Sequence, residues 1–174
     1  MKSPKRPRPR TARRVAGVTL AGLSSTLLLV ACARAGGSVA ASPTPKPAAG
    51  PRVVLPSGKT IAVEVASTPE QAAQGLMFRE SMPEGNGMVF LFTGEEIRPF
   101  WMKNCHFPLD MIFTKRDGTV VDVLAAVPPC AADPCPSYPP KAKSDTVLEV
   151  NAGVAAKNGV VAGKKITYRD VPER

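Results

Sequence analysis

The chain reads as a mainly β protein, a single compact antiparallel β-sandwich or partly closed barrel with one or two short helices. Three observations predict it. Several short runs between Arg52 and Asp170 are either alternating or continuously apolar, with turn residues between them. Helix signals are few and cover about two turns at most. All six Phe, the only Trp and five of the six Met fall between Met77 and Phe113, which marks where a core is built.

Taken in order, Thr60-Ile61-Ala62-Val63-Glu64-Val65 alternates and puts Ile61, Val63 and Val65 on one face, with Ser57-Gly58 before it suited to a turn. Thr68-Pro69-Glu70-Gln71 supplies an N-cap, a proline at the first helical position and a glutamine spaced for a capping box; Gly75 ends that helix. Met88-Val89-Phe90-Leu91-Phe92 follows Gly85-Asn86-Gly87 and is apolar throughout, which predicts a strand buried on both sides. Phe100 to Asn104 and Asp110 to Thr114 are two further strands. Arg116-Asp117-Gly118 forms a tight hairpin into Thr119 to Leu124, because Asp-Gly accepts the positive φ that such a turn requires. Thr146 to Val150 and Lys165 to Arg169 complete the strands, and a second short helix runs from Gly153 to Asn158. The sequence has no internal repeat.

Upstream of this domain (residues 51–174) the chain is built differently. Seven Lys/Arg and no acid precede sixteen uncharged residues, Val15 to Val30, the pattern of a secretory signal over residues 1–31. A transmembrane anchor needs about 20 apolar residues, and this run is shorter and interrupted by Gly17, Gly22, Ser24 and Ser25. Arg13-Arg14 lacks the surroundings of a twin-arginine signal. Leu29-Val30-Ala31-Cys32 resembles the lipobox of bacterial lipoproteins, and the resemblance implies cleavage before Cys32 and diacylation of its sulfur. Two or three acyl chains, at about 0.8 kcal/mol per buried methylene, anchor a protein stably. The expected address is the cell envelope, on the outer side of the cytoplasmic membrane or on the outer membrane. By resemblance, Ala33 after the cysteine favours the outer membrane in a two-membrane cell. Ala33 to Gly50 holds Pro43, Pro45 and Pro47 among small residues and cannot offset its ordering entropy, so residues 32–50 read as a tether.

The formal charge of +9 misleads. Seven of the 23 basic residues leave with the signal, so the mature chain has 16 against 14 acids, a net of +2. That removes the electrostatic argument for a nucleic-acid partner. Cys130 and Cys135 sit in a proline-rich loop and read as a local disulfide staple in an oxidising compartment, adding about 2 kcal/mol or less. Redox exchange commonly uses two intervening residues, and here there are four. Cys105 reads as a buried small apolar residue; its neighbour His106 would point to the opposite face of a strand.

Gly75-Leu76-Met77-Phe78-Arg79 and Phe100-Trp101-Met102-Lys103-Asn104, the latter continuing to Pro108-Leu109-Asp110-Met111, together with Val147-Leu148-Glu149-Val150-Asn151, resemble the bacterial and archaeal family catalogued as domain of unknown function 192. The resemblance covers Leu55 to about Tyr168 and implies a mainly β fold of secreted or membrane-tethered proteins. No agreed activity comes with it, and no cofactor or metal is implied. Many members have a small residue such as Thr where this chain has Cys105-His106.

An aromatic plane beside an ammonium and a carboxylate suits a small polar ligand, which makes Arg79, Trp101, Lys103, Asn104 and Asp110 the candidate binding residues. The competing arrangement is a core Trp101 with Lys103–Asp110 or Arg79–Glu149 ion pairs tying down loops. Two other chemistries stay open: hydrolysis by Glu80, Asp110 and Lys103, and Cu(I) binding by Met102, Cys105 and His106. The leading expectation is a non-enzymatic, lipid-anchored module that binds a small polar ligand or an envelope protein. Replacing Cys32→Ser should leave unprocessed precursor without acyl label; normal processing and labelling in that variant would remove the anchor.

Overall fold

The computed structural model describes residues 50–173. The expected signal segment, Cys32 and the tether as far as residue 49 lie outside the described residues, as does Arg174. No helix among the described residues is long and apolar enough to cross a membrane.

The described chain forms nine strands and two short helices: β1 (Arg52–Val54), β2 (Thr60–Ala66), α1 (Pro69–Gln74), β3 (Asn86–Glu96), β4 (Phe100–Trp101), β5 (Leu109–Thr114), β6 (Val120–Val127), β7 (Ser137–Tyr138), β8 (Ser144–Asn151), α2 (Val154–Lys157) and β9 (Thr167–Arg169). Seven strands form one sheet in the order β6-β5-β8-β3-β2-β1-β9, and β4 pairs with β7 separately. The large sheet curls into a half-barrel, the mainly β, partly closed form expected.

All but one of the strand pairs are antiparallel; the exception is β2 with β3. The crossover that a parallel pair demands is supplied by α1 and the loop behind it. That helix starts where its sequence signals put it. Thr68 Oγ1 accepts from Gln71 N at 3.2 Å, and Gln71 Oε1 accepts from Thr68 N at 3.1 Å. Gly75 closes the helix at φ 47°, against the ring of Phe90, in a conformation that side-chain-bearing residues avoid. The predicted hairpin at 115–118 joins β5 to β6, with Gly118 N donating to Lys115 O at 2.8 Å. Gly118 has φ 83°, and a Cβ there would collide with the Ile166 carbonyl.

Alternation sends the sheet's side chains into two cores. Ile61, Val63, Val89, Ile112, Leu148 and Val150 face one, which α2 covers through Ala155. Ala66, Met88, Phe90, Met111, Phe113 and Val147 face the other, beneath Leu76, Met82, Met102 and Cys105. β3 is therefore buried on both sides from Met88 to Phe90, with Leu91 and Phe92 of the same apolar run partly buried. The expected strand from Phe100 to Asn104 is shorter than predicted. Only Phe100 and Trp101 pair, after which Cys105 N donates to Met102 O at 3.2 Å and Asn104 turns with φ 53°. Asparagine tolerates that left-handed conformation, so the segment turns where alternation predicted continued extension.

Asp110 belongs to this framework, which corrects its placement among binding residues. It pairs in register with Val150 and lies on the α2 side of the sheet with no exposure. Its Oδ1 accepts from Ala126 N and its Oδ2 from Ala155 N, each at 2.8 Å. One carboxylate thus satisfies an irregular stretch of β6, where Ala126 has φ 50°, and an amide in the first turn of α2. A buried amide left without an acceptor costs about 1–3 kcal/mol. Asp110→Ala should therefore lower unfolding free energy by about 2–5 kcal/mol in urea titrations; a loss below about 0.5 kcal/mol would contradict this role.

Candidate functional site

The face opposite Asp110 carries a different carboxyl. Glu149 stands on β8 directly between Met88 of β3 and Met111 of β5. It is 4% exposed, and no hydrogen bond or ion pair reaches its carboxyl among the described residues. Burial pushes it up to about 8.

Glu149 lines a recess of about 40 Å³. The end of α1 and the Gly75 turn form one side, with Leu76 and Met77. Phe90 and Phe100 also line it, and Trp101, Met102, Lys103 and Cys105 form the other side. This volume accommodates a few water-sized groups at most. Cys105 is buried, and its Sγ approaches Phe107 O at 3.5 Å. Desolvation pushes its thiol up, and the Glu149 charge adds to this.

Trp101 is 52% exposed and is held at the rim by β4–β7 pairing opposite Ser137. Lys103 Nζ lies 5.5 Å from the Trp101 ring centroid and 3.7 Å from Asp133 Oδ1. Asp133 is carried on the loop closed by the Cys130–Cys135 disulfide, whose Cα atoms are 5.5 Å apart. Cys130 N donates to Met102 O at 3.3 Å, which ties that loop to the recess. A second groove of about 370 Å³ shares Ala72, Phe100 and Trp101 with the recess and continues to Phe92, Ile97 and Pro99.

Of the residues singled out in the sequence, Trp101, Met102, Lys103, Cys105 and Glu149 meet at this recess, and Arg79, Glu80, Asn104, His106 and Asp110 do not line it. Arg79 forms a two-pronged ion pair with Glu64, with Nη2 and Oε2 2.8 Å apart, and holds that carboxyl below its usual range. The alternative Arg79–Glu149 and Lys103–Asp110 pairs are absent among the described residues. Asn104 contributes its backbone carbonyl, which accepts from Phe78 N at 2.7 Å. Trp101 is no core residue, because the short β4 ends at the surface.

The hydrolytic set does not assemble. Glu80 is solvent-facing and 2.8 Å from His106 Nδ1, and Asp110 lies across the sheet from Lys103. The copper set also divides: Met102 and Cys105 are buried, whereas His106 turns outward to Glu80. Cys130, Asp133 and Cys135 cluster closely enough for a metal, but both sulfurs are joined in the disulfide. A larger cavity of about 600 Å³ near β9 is bordered by Lys165 paired with Asp117 at 3.0 Å, by Arg116 and Asp145 3.9 Å apart, and by Glu173.

Glu149 is the residue that sequence reasoning undervalued. The available signal was an acid inside the apolar run Val147-Leu148-Glu149-Val150, at a position where alternation does not send side chains to water.

The raised carboxyl has a consequence for stability. The unfolded chain releases this proton near 4.5 and the folded chain near 8. Between those values the folded state binds more protons, so its stability falls as pH rises through the window. Glu149→Gln removes that dependence. The variant should match the wild type near pH 4.5 and exceed it near pH 8 by up to about 4 kcal/mol. Parallel stability–pH curves for the two proteins would contradict the buried, unpaired carboxyl.

The sequence profile of domain of unknown function 192, described as "Uncharacterized ACR", matches residues 52–168. Two solved structures are similar. A "putative transcription regulator" from Sinorhizobium meliloti 1021 is 33% identical with a TM-score of 0.59, over 70% of this chain and 93% of that one. A protein of unknown function from Novosphingobium aromaticivorans DSM 12444 is 34% identical with a TM-score of 0.60, over 74% of this chain and 94% of that one. No curated protein matches the chain. The profile match spans most of the chain and the whole of the large sheet from β1 into β9, and the chain belongs to the domain of unknown function 192 family.

Proposed function

We propose that this protein is a lipid-anchored binding module of the cell envelope, which takes a small polar ligand at the recess between Trp101 and Glu149. One observation carries the reading. A carboxyl buried almost completely, with no partner among the described residues, borders a recess that a half-exposed tryptophan also lines. Burying such a group without compensation costs free energy, and a ligand that supplies the missing partner recovers it.

Other features support the same reading. The two most specific motif segments, Gly75–Arg79 and Phe100–Asn104, both border the recess. The amide of Phe78 joins them by donating to the Asn104 carbonyl. The disulfide fastens the loop that holds Lys103 through Asp133. Acylation at Cys32 and the tether would keep the recess near a membrane surface. The name carried by the Sinorhizobium meliloti relative does not transfer readily. Residues 50–173 hold 13 Lys/Arg against 14 Asp/Glu, so the domain lacks the basic excess of a nucleic-acid binder.

Trp101 is the only tryptophan, so its emission reports this site alone. Titration of the full chain with a panel of small polar metabolites should give a saturable change in intensity or wavelength for at least one class. Lys103→Ala should alter that response. Emission unchanged across the panel would overturn the small-ligand reading.

A further inference from the structure

The recess is too small for a sugar ring or a nucleobase, since about 40 Å³ admits only a few water-sized groups. It can receive the head of a ligand. The body then has to lie outside, and the groove of about 370 Å³ begins at the same Phe100 and Trp101 and runs to Phe92 and Ile97. That groove offers the aromatic and aliphatic surface of Phe92, Ile97, Pro99, Phe100 and Trp101, alongside the Arg98–Glu96 ion pair, whose guanidinium lies 4.7 Å from the Phe92 ring centroid. The matching ligand has a compact polar head and an apolar body.

The charge of the head follows from the walls. Glu149 is the acid at the recess and Lys103 is the cation among its lining residues. Lys103 is drawn to Asp133 and makes no ion pair with Glu149 among the described residues. Phe90, Phe100, Trp101, Met77 and Met102 are among the lining residues, and the Lys103 ammonium lies 5.5 Å from the Trp101 ring centroid. Aromatic faces attract cations most strongly where water is excluded. A group bringing positive charge and several N–H donors to an unpartnered buried carboxyl gains both the ion pair and the hydrogen bonds.

We propose that the recess binds the primary ammonium group of a soluble arylalkylamine against Glu149, with the apolar remainder of the amine lying along Trp101 and Ile97. The inference rests on the binding-module reading and specifies its ligand. Below about pH 8 the empty recess holds Glu149 protonated. The ammonium keeps its own protons, the carboxyl gives one to solvent, and one proton leaves per amine bound. The other titratable groups bordering Glu149 are the Cys105 thiol and the Lys103 ammonium. β3 and β5 present Met88 and Met111, and α1 presents Ala72, Ala73 and Gln74, none of which titrates. Burial keeps the Cys105 thiol neutral through this window.

The test is calorimetric titration of the full chain with 2-phenylethylamine, its neutral analogue 2-phenylethanol, and the anion 3-phenylpropionate. At pH 8 the amine should bind at least tenfold more tightly than the alcohol, and the anion should not bind. Amine affinity should fall about tenfold per unit from pH 8 to pH 6, as one-proton linkage requires. Glu149→Gln, confirmed folded by near-ultraviolet circular dichroism, should bind amine and alcohol alike and without that pH dependence. The pH series on the unmodified protein tests the same point without any variant. Equal binding of amine and alcohol by the unmodified protein overturns the proposal. So does alcohol binding that stays flat below pH 8 and weakens above it, which makes protonated Glu149 a donor to neutral ligands and leaves the recess a binding site. If none of the three compounds binds and Trp101 is also silent across the metabolite panel, the binding-module reading fails with it.

Discussion

Strand β8 is the constraint on which the rest of the fold depends. It runs between β3 and β5, and seven of its eight residues are buried. Its side chains must therefore enter two cores in strict alternation, with Leu148 and Val150 on one side and Val147 and Glu149 on the other. A one-residue slip would exchange the two sets and put Glu149 among Ile61, Val89 and Ile112. Register is thus set by burial on both faces. Everything that covers the Glu149 face (α1, the Gly75 turn, β4 and the disulfide loop) is arranged around an acid that the strand cannot direct to water.

Much of this was legible in the sequence where local chemistry and tertiary context agree. The capping box at Thr68, the Asp-Gly hairpin at 117–118 and the continuous apolar run of β3 each depend on neighbours within a few residues. The structure retains all three. Context overrode the pattern elsewhere. The parallel pairing of β2 and β3 is invisible to alternation, because a strand's periodicity does not encode the direction of its neighbour. Continued alternation from Phe100 would put Trp101, Lys103 and Cys105 on one face, but the turn at Asn104 sends Cys105 inward while Trp101 stays at the surface. The site was half legible for the same reason. Trp101 and Lys103 are close in sequence, whereas Glu149 reaches them only through the order of strands.

The disulfide loop shows how a modest local bond acquires wider consequence. Cys130 and Cys135 enclose a short segment, and a short loop gains little chain-entropy stabilisation from closure. Its value lies in what the loop carries. Asp133 draws the Lys103 ammonium outward, and the Cys130 amide fixes the Met102 carbonyl beneath. A lysine free to swing inward would neutralise Glu149 and close the recess by ion pairing. Holding it at Asp133 keeps the cation at the mouth and the acid at the base.

Asp110 and Glu149 complete the argument by contrast. Both are carboxyls on adjacent central strands, β5 and β8, and both are almost wholly buried. Asp110 accepts two backbone amides, so its desolvation is compensated within the fold and its place is explained by α2 and the irregular stretch of β6. Glu149 has no such compensation and is pushed up to about 8. Residue type and burial are nearly the same in the two cases, so neither decides which acid is available for binding. Hydrogen-bond accounting does. A buried polar group whose partners are all internal belongs to the scaffold, whereas one that opens on a recess without a partner has its remaining valence directed at whatever enters.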